Sequence, residues 1–181
     1  MKRTILFLGL VIATGSLFAQ KKTTTSATVS FDASTAIDAL PKADNKTVIA
    51  AIDTKAGTVQ FEANVKNFAF SNPMIQEHFN GPKWLNSDEF PKFTFKGNIT
   101  DPSKVDFAKD GSYPTEVEGL LNIKGKEQKV KVPGTIVVKN GSLSASANFS
   151  VALSDYGITG AAIDGGKVAK NPKISVSADF K

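Results

Sequence analysis

Alternation of apolar and polar residues is the dominant pattern of this chain, and it predicts β-strands. Between residues 143 and 151 every second residue is apolar, and those between them are Ser or Asn. Successive side chains of a strand point to opposite faces, so such a segment has one apolar and one hydrated face. No internal repeat or linker divides the chain. Eight predicted strands lie within residues 27–31, 47–53, 59–65, 93–95, 117–123, 130–138, 143–151 and 174–180.

Turn residues separate these strands. Asn140-Gly141 is the strongest hairpin signal, and Lys124-Gly125-Lys126 predicts a second tight hairpin. Pro133-Gly134 predicts a break inside the strand 130–138, because proline has no N–H for a strand ladder. A turn-rich loop is expected over residues 101–114. A glycine-rich loop over residues 157–166 is either a simple crossover or a lid.

One short helix is predicted, over about residues 73–80. Pro73 suits the first helical position, with Ser71 or Asn72 as its cap, and Gly81-Pro82 ends the helix. We expect this helix to lie across one end or edge of the sheet. Four residues fall on one face at helical spacing: Met74, Ile75, His78 and Phe79.

The strands are predicted to be antiparallel, and they either pack as two sheets or close into one barrel. An up-and-down barrel of about eight strands is just wide enough for one elongated small ligand. Small residues (Gly119, Ala145, Ala147) face large aromatic ones, which gives either a well-filled core or a slot. Phe68 and Phe70 join the inner face if a bulge lies near Asn67. The phenylalanines on predicted inner faces are Phe31, Phe61, Phe68, Phe70, Phe93, Phe95 and Phe149.

The N-terminus has the features of a secretory signal peptide over residues 1–19. A basic start is followed by an apolar block and a small-residue ending at Ala19. The alternative is a membrane anchor, but the apolar block is shorter than the ~20 residues that span a bilayer. We therefore expect a periplasmic or secreted protein, with a disordered lead over residues 20–26 and a single domain over residues 27–181.

The charge pattern predicts an ordinary hydrated surface. The chain has 22 Lys and Arg against 17 Asp and Glu, a net charge of +5. Its lysines are scattered over outward strand positions and are not gathered with aromatic residues, so neither nucleic-acid binding nor stable membrane insertion is expected. Cysteine is absent, which excludes disulfides and thiolate metal sites. The pattern leaves the oligomeric state open.

His78 is the only histidine, and this limits the possible chemistry. Two-histidine metal sites are excluded, and a Ser-His-Asp triad would have to include this residue. No nucleophile elbow or phosphate-binding glycine loop accompanies it. We predict no catalytic residue, metal ligand or cofactor. His78 is either a structural histidine, a polar contact at the mouth of a cavity, or a catalytic base.

Several motifs resemble the YceI-like family of bacterial periplasmic proteins. They are Phe90-Pro91-x-Phe93-x-Phe95, then Val117-x-Gly119-x-Leu121-x-Ile123-x-Gly125 followed by Val130-x-Val132, and Ser154-Asp155-Tyr156-Gly157-Ile158. The resemblance covers about residues 27–180. It implies a lipocalin-like antiparallel barrel whose apolar channel holds a polyisoprenoid or similar long-chain lipid. Many relatives carry Arg-Asp-x-His-Leu where this chain has residues 75–79, so only His78 carries over; the version here is similar to a variant common in the Bacteroidetes branch.

The resulting hypothesis is a non-enzymatic protein that binds a long apolar molecule in its barrel for transport, storage or sequestration in the cell envelope. The alternatives are a lipid-acting hydrolase or isomerase that uses His78, and a filled β-sandwich that serves as a scaffold or adhesion module. His78 is the expected polar contact at the mouth. Trp84 is either part of the core or part of a gate. The expected apolar channel residues are Phe61, Val65, Phe68, Phe70, Met74, Phe79, Trp84, Phe93, Phe95, Leu121, Ile123 and Phe149.

Overall fold

The structure, a computed structural model, describes residues 21–180. Its strands in chain order are β1 (Lys21–Asp32), β2 (Lys42–Asp53), β3 (Thr58–Asn64), β4 (Ala69–Phe70), β5 (Lys92–Ile99), β6 (Gly111–Ile123), β7 (Lys126–Lys139), β8 (Ser142–Ser150) and β9 (Lys173–Phe180). All the strand pairs are antiparallel, and β1 pairs with both β2 and β9. This closes eight strands into a barrel, and the two-residue β4 pairs with β2 beyond the end of β3. The predicted eight-stranded antiparallel barrel is confirmed.

The two ends of the barrel differ in their connections. At one end, which we call the crowned end, three of the four connections are long and two of these carry the α-helices. At the other, the plain end, two of the three connections are tight turns. The crowned end carries residues 33–41, 65–91, 124–125 and 151–172, and the plain end carries residues 54–57, 100–110 and 140–141.

Helix α1 (Pro73–Asn80) forms where it was predicted, at the crowned end. The Asn72 side chain caps it, accepting a hydrogen bond of 2.9 Å from the Met74 N–H. Proline occupies the first helical position, where no N–H is needed. A second helix, α2 (Ala161–Asp164), has only four residues. Among residues 21–180 no helix is long and apolar enough to cross a membrane.

The expected disordered lead is wrong for residues 21–26. They form the first half of β1, in which Lys21 pairs with Asp53 and Thr24 with Ala50 of β2. The polar composition of this tract suggested disorder, but β-branched threonines suit a strand whose partner supplies the apolar contacts. Residues 1–20, which include the predicted signal peptide, lie outside the described residues.

The predicted break at Pro133-Gly134 is also wrong, because β7 runs through both residues. Pro133 pairs with Glu116 of β6, and the ladder between β7 and β8 begins one residue later, at Gly134 and Ala147. Proline therefore sits where one side of the strand has no neighbour to bond.

The predicted loop over residues 101–114 ends earlier than expected. Strand β6 already begins at Gly111, and Pro114 within it pairs with Thr135 of β7. Strand β5 pairs only with residues 117–122 of β6, so Pro114 lies in a part of β6 that has one strand neighbour.

A 3-10 turn, and not the predicted bulge near Asn67, re-aims the phenylalanines after β3. The turn spans Val65–Asn67 and is followed by Phe68, which is buried, and by the short strand β4. The Val65 N–H donates to the Pro91 carbonyl at 2.9 Å. The chain pairs with β2 both before the turn, through β3, and after it, through β4. The turn interrupts this pairing, and both Phe68 and Phe70 then pack against Phe79 of α1.

Candidate ligand-binding cavity

A cavity of about 180 Å³ lies inside the barrel. All eight barrel strands contribute to its wall, and no charged residue among residues 21–180 lines it. The few polar lining residues are Thr and Ser. An apolar cavity of similar size, ~150 Å³, stays dry and takes up a molecule such as benzene. The interior of this barrel is thus suited to uncharged, apolar material.

Large residues on one wall face small residues on the other, and this creates the space. Phe61 lies on β3, whereas Ala145 and Ala147 lie on β8, which is four strands away in the closed order and so on the opposite wall. The rings of Phe61, Phe95 and other inward-facing phenylalanines remain partly accessible although they point into the barrel. In a packed core they would be fully buried, so the structure favours the slot over the filled core.

Nine of the twelve predicted channel residues lie in the wall of this cavity. Trp84 and Phe79 belong to the connection over the crowned end, and the others come from the strands or from the turn that follows β3. The nine are Phe61, Phe68, Phe79, Trp84, Phe93, Phe95, Leu121, Ile123 and Phe149.

Val65 and Phe70 were expected in the channel but lie outside its wall. Val65 is fully buried in the 3-10 turn, where it belongs to the core. Phe70 packs behind the wall, with its ring centroid 4.8 Å from that of Phe79. Both residues support lining residues and do not themselves face the cavity.

Met74 and His78 were also predicted at the site, and both face away from the barrel. Met74 is 65% exposed, and the side chain of His78 has no hydrogen-bond partner among the described residues. The reason is the rotation of α1. Its inner face carries Gln76, which accepts a 3.0 Å hydrogen bond from the Phe70 N–H, and Phe79 one turn later. Residues 74 and 78 lie on the other side of so short a helix.

Five aromatic rings cover the cavity at the crowned end. Phe79 is at their centre, and its ring centroid lies 4.8–5.9 Å from three of the others. Such tilted and edge-on pairs each stabilise a cluster by about 0.5–1.5 kcal/mol. They hold α1 across the end of the barrel. The five are Phe31, Phe68, Phe70, Phe79 and Phe93.

Several wall residues escaped the sequence analysis. Val29 and Ile174 follow the strand alternation, so the period-two pattern could have identified them. Leu153 and Ile158 come from an irregular segment after β8, where no periodic signal exists.

The irregular segment after β8 also contains Tyr156, which is 2% exposed and whose hydroxyl has no hydrogen-bond partner among the described residues. Burial, together with the neighbouring Asp155, raises the pKa of Tyr156 to about 12.

The fold and the cavity define a class of protein: closed antiparallel barrels of eight strands with an interior wide enough for a small molecule. The chain belongs to the YceI-like family, since the sequence model of the YceI-like domain matches residues 14–180. The resemblance noted from the motifs is therefore confirmed. No curated protein sequence matches the chain.

Solved structures share this fold at low sequence identity. A polyisoprenoid binding domain from Saccharophagus degradans, implicated in plant cell wall breakdown, has a TM-score of 0.75 at 10% identity, over 90% of this chain and 98% of that one. BcnA of Burkholderia cenocepacia has a TM-score of 0.69 at 22% identity, and the match covers 86% of this chain and 96% of that one. A YCEI protein of Campylobacter jejuni has a TM-score of 0.55 at 15% identity, over 100% and 99%.

Proposed function

We propose that this protein binds a long-chain apolar molecule, a polyisoprenoid or related lipid, inside its barrel and performs no chemistry on it. The observation that carries the proposal is the uncharged interior cavity, whose wall includes phenylalanines that point inward yet remain partly accessible, such as Phe61 and Phe95. The structural similarity to a domain described as polyisoprenoid binding supports the same ligand class.

The energetics favour a long ligand over a short one. Burying about 15 hydrocarbon carbons at ~0.8 kcal/mol each gives roughly 12 kcal/mol. Association costs about 4–15 kcal/mol, so a short fragment would bind weakly at best. Useful affinity requires a chain of that length or longer, enclosed over most of it, and the cavity of about 180 Å³ therefore has to widen as the chain enters.

The enzymatic alternative has no support in the position of His78. A general base has to reach the substrate proton by a hydrogen bond or through one water. His78 lies on the exposed side of α1, outside the cavity wall. The sandwich alternative is excluded because β1 and β9 pair and close the barrel.

The predicted signal peptide supports a role in the cell envelope. We propose that the protein is periplasmic or secreted and that it transports, stores or sequesters its lipid there. A soluble carrier suits an aqueous compartment between membranes, because a long hydrocarbon chain is otherwise exposed to water.

Filling the cavity tests the proposal. Ala147→Phe places a ring in the lumen, whereas Ser177→Phe adds the same ring on the exposed face of the neighbouring strand β9. Binding is measured by displacement of a fluorescent polyene fatty acid with geranylgeraniol, and lipids are extracted from natively purified protein and identified by mass spectrometry. We expect Ala147→Phe to fold and to bind at least ten-fold more weakly, and Ser177→Phe to bind like the parent. A parent that holds no extractable lipid and binds neither probe would exclude the proposed function.

A further inference from the structure

The wall of the barrel has a seam between β7 and β8. The ladder between these strands extends only from Gly134 and Ala147 to the plain end. Residues 126–133 of β7 pair with β6 alone, and residues 148–150 of β8 pair with β9 alone. Over the crowned half of the barrel the two strands are therefore adjacent without a shared set of backbone hydrogen bonds.

Residues 151–158, which we call the flap, cover this seam. The flap contains the 3-10 turn Leu153–Tyr156 directly after β8, and this turn packs on β7. Leu153 and Ile158 line the cavity, as do Val132 of β7 and Phe149 of β8 on either side. The flap thus completes the wall where the strands do not meet.

The flap is tied firmly at its base and weakly at its tip. At the base the Val151 and Leu153 N–H groups donate to the carbonyls of Pro172 and Lys170, at 3.2 and 3.0 Å, in the segment that leads into β9. At the tip, the Gln128 side chain of β7 donates a hydrogen bond of 2.9 Å to the Asp155 carbonyl. This is the hydrogen bond between the flap and β7 among the described residues. The remaining contacts with β7 are side-chain packing, which includes the Lys126 side chain against Gly157.

Two glycines give the far side of the flap conformational freedom. Gly157 has φ +67° and Gly160 has φ +152°, both in the region that favours glycine. The chain between the flap and α2 can therefore rearrange without straining a side chain.

The hydroxyl of Tyr156 opposes closure of the flap, whereas its buried ring favours closure. The hydroxyl is buried and has no partner within residues 21–180, and such a donor is unfavourable relative to one that water can reach. Opening would hydrate this hydroxyl, while it would also expose Leu153 and Ile158. The closed flap is consequently held less tightly than its apolar contacts alone would hold it.

The crowned end offers a less suitable route into the cavity. Helix α1 lies across it, and the Phe79 ring packs against Phe31, Phe68 and Phe70. Passage there would require separating this cluster of five rings. Passage at the seam requires breaking one side-chain hydrogen bond and exposing the buried side chains of Leu153, Tyr156 and Ile158.

We propose that residues 151–158 are a movable flap, and that the ligand chain enters and leaves the cavity through the side of the barrel, between β7 and β8. The proposal rests on the proposed function of lipid binding and adds the route that the lipid takes.

The absence of cysteine from the chain makes a clean cross-linking test possible. The double variant Gln128→Cys with Asp155→Cys is loaded with a fluorescent polyene fatty acid and then joined by a short, reducible thiol cross-linker. Release is followed by stopped-flow fluorescence with excess geranylgeraniol. The matched control, Val137→Cys with Ser144→Cys, joins β7 to β8 where these strands are already paired and leaves the flap unattached. We expect release at least ten-fold slower in the locked flap only, and the parent rate after reduction.

Two single variants test the flap without a cross-link and are expected to act in opposite directions. Gln128→Ala removes the bond at the tip and should speed release several-fold. Tyr156→Phe removes the unpaired hydroxyl and should slow release by about five- to ten-fold. If the locked flap and both single variants release the fatty acid at the parent rate while binding is normal, the flap proposal is wrong and the binding proposal stands. If the parent binds neither probe, the proposed function fails first.

Discussion

The ring of Phe95 lies over Gly97 in the same strand. A Cβ atom on Gly97 would be 2.7 Å from the ring carbon Cζ of Phe95, and it would also be 2.7 Å from the carbonyl oxygen of Glu118. Gly97 pairs with Gly119 of β6. A Cβ atom on Gly119 would overlap backbone atoms of β5. These glycines let the two strands approach closely and let the Phe95 ring lie along the wall. The lumen beside Phe95 stays open as a result.

We expect alanine at these two glycines to have different effects. Gly97→Ala pushes the Phe95 ring into the lumen and also presses on the Glu118 carbonyl oxygen. It should weaken lipid binding several-fold, with a loss of stability near the upper end of the about 1–3 kcal/mol that overpacking costs. Gly119→Ala meets only backbone atoms, so it should cost more than about 3 kcal/mol or prevent folding. Urea unfolding and the displacement titration measure both effects. Unchanged binding by a folded Gly97→Ala protein would show that the position of Phe95 does not control the lumen.

Two neighbouring phenylalanines of the cavity wall differ in burial, so their truncation should have different effects. Phe68 is 2% exposed, whereas Phe93, with its ring centroid 5.7 Å away, remains partly accessible from the cavity. Phe68→Ala leaves a void and should cost about 3–5 kcal/mol of unfolding free energy. Phe93→Ala enlarges a space that already exists, so it should cost clearly less and change affinity for the lipid probe. Equal losses of stability would indicate that the region near Phe93 behaves as a packed core.

Replacement of His78 should have little effect. Its side chain is exposed and makes no hydrogen bond within residues 21–180, so His78→Ala should change stability by no more than about 0.5 kcal/mol and leave lipid retention unchanged. Thermal unfolding and lipid extraction provide the comparison. An activity on a lipid ester or pyrophosphate that the parent has and the folded variant lacks would instead support the enzymatic alternative.

Tyr156 should make stability fall at alkaline pH. Its pKa is raised to about 12 by burial and by Asp155, whereas an unfolded tyrosine has a pKa of about 10. Between these values the unfolded chain loses the proton and the folded chain keeps it, so unfolding becomes easier as pH rises through the window. The raised pKa of Tyr156 therefore stabilises the folded state relative to its stability above about pH 12. This stabilisation is fully present below pH 10 and amounts to roughly 2–3 kcal/mol at most. Urea midpoints at pH 9 and pH 11.5 should differ less in Tyr156→Phe than in the parent. Identical pH dependence in the two proteins would contradict the effect.

The period-two pattern predicted most of the barrel because each strand has one dry and one wet face. The pattern failed where pairing with a neighbouring strand determines whether a segment forms a strand. The polar tract at residues 21–26 pairs with β2, and Pro133 is tolerated because β8 has already diverged from β7 there. Neither fact is visible in the residues themselves.

The residues of the candidate site were predictable where they lie on strands and unpredictable elsewhere. Strand residues such as Phe61 and Leu121 were placed correctly, because alternation fixes which face they occupy. Met74 and His78 were misplaced, because an eight-residue helix has too few turns for its pattern to define the buried side. Leu153 and Ile158 were missed, because the conformation of their irregular segment follows from tertiary contacts.

Closure of the barrel joins its first and last strands, with Phe31 opposite Ile174. No partial chain can contain the cavity, because the final wall is supplied by residues 173–180. Pairings this distant in sequence carry a large loop-closure cost and form slowly. Until they form, both the outer edge of β1 and that of β8 are free to pair with other chains, which favours aggregation. Folding yield should therefore depend on protein concentration far more than the stability of the finished barrel does.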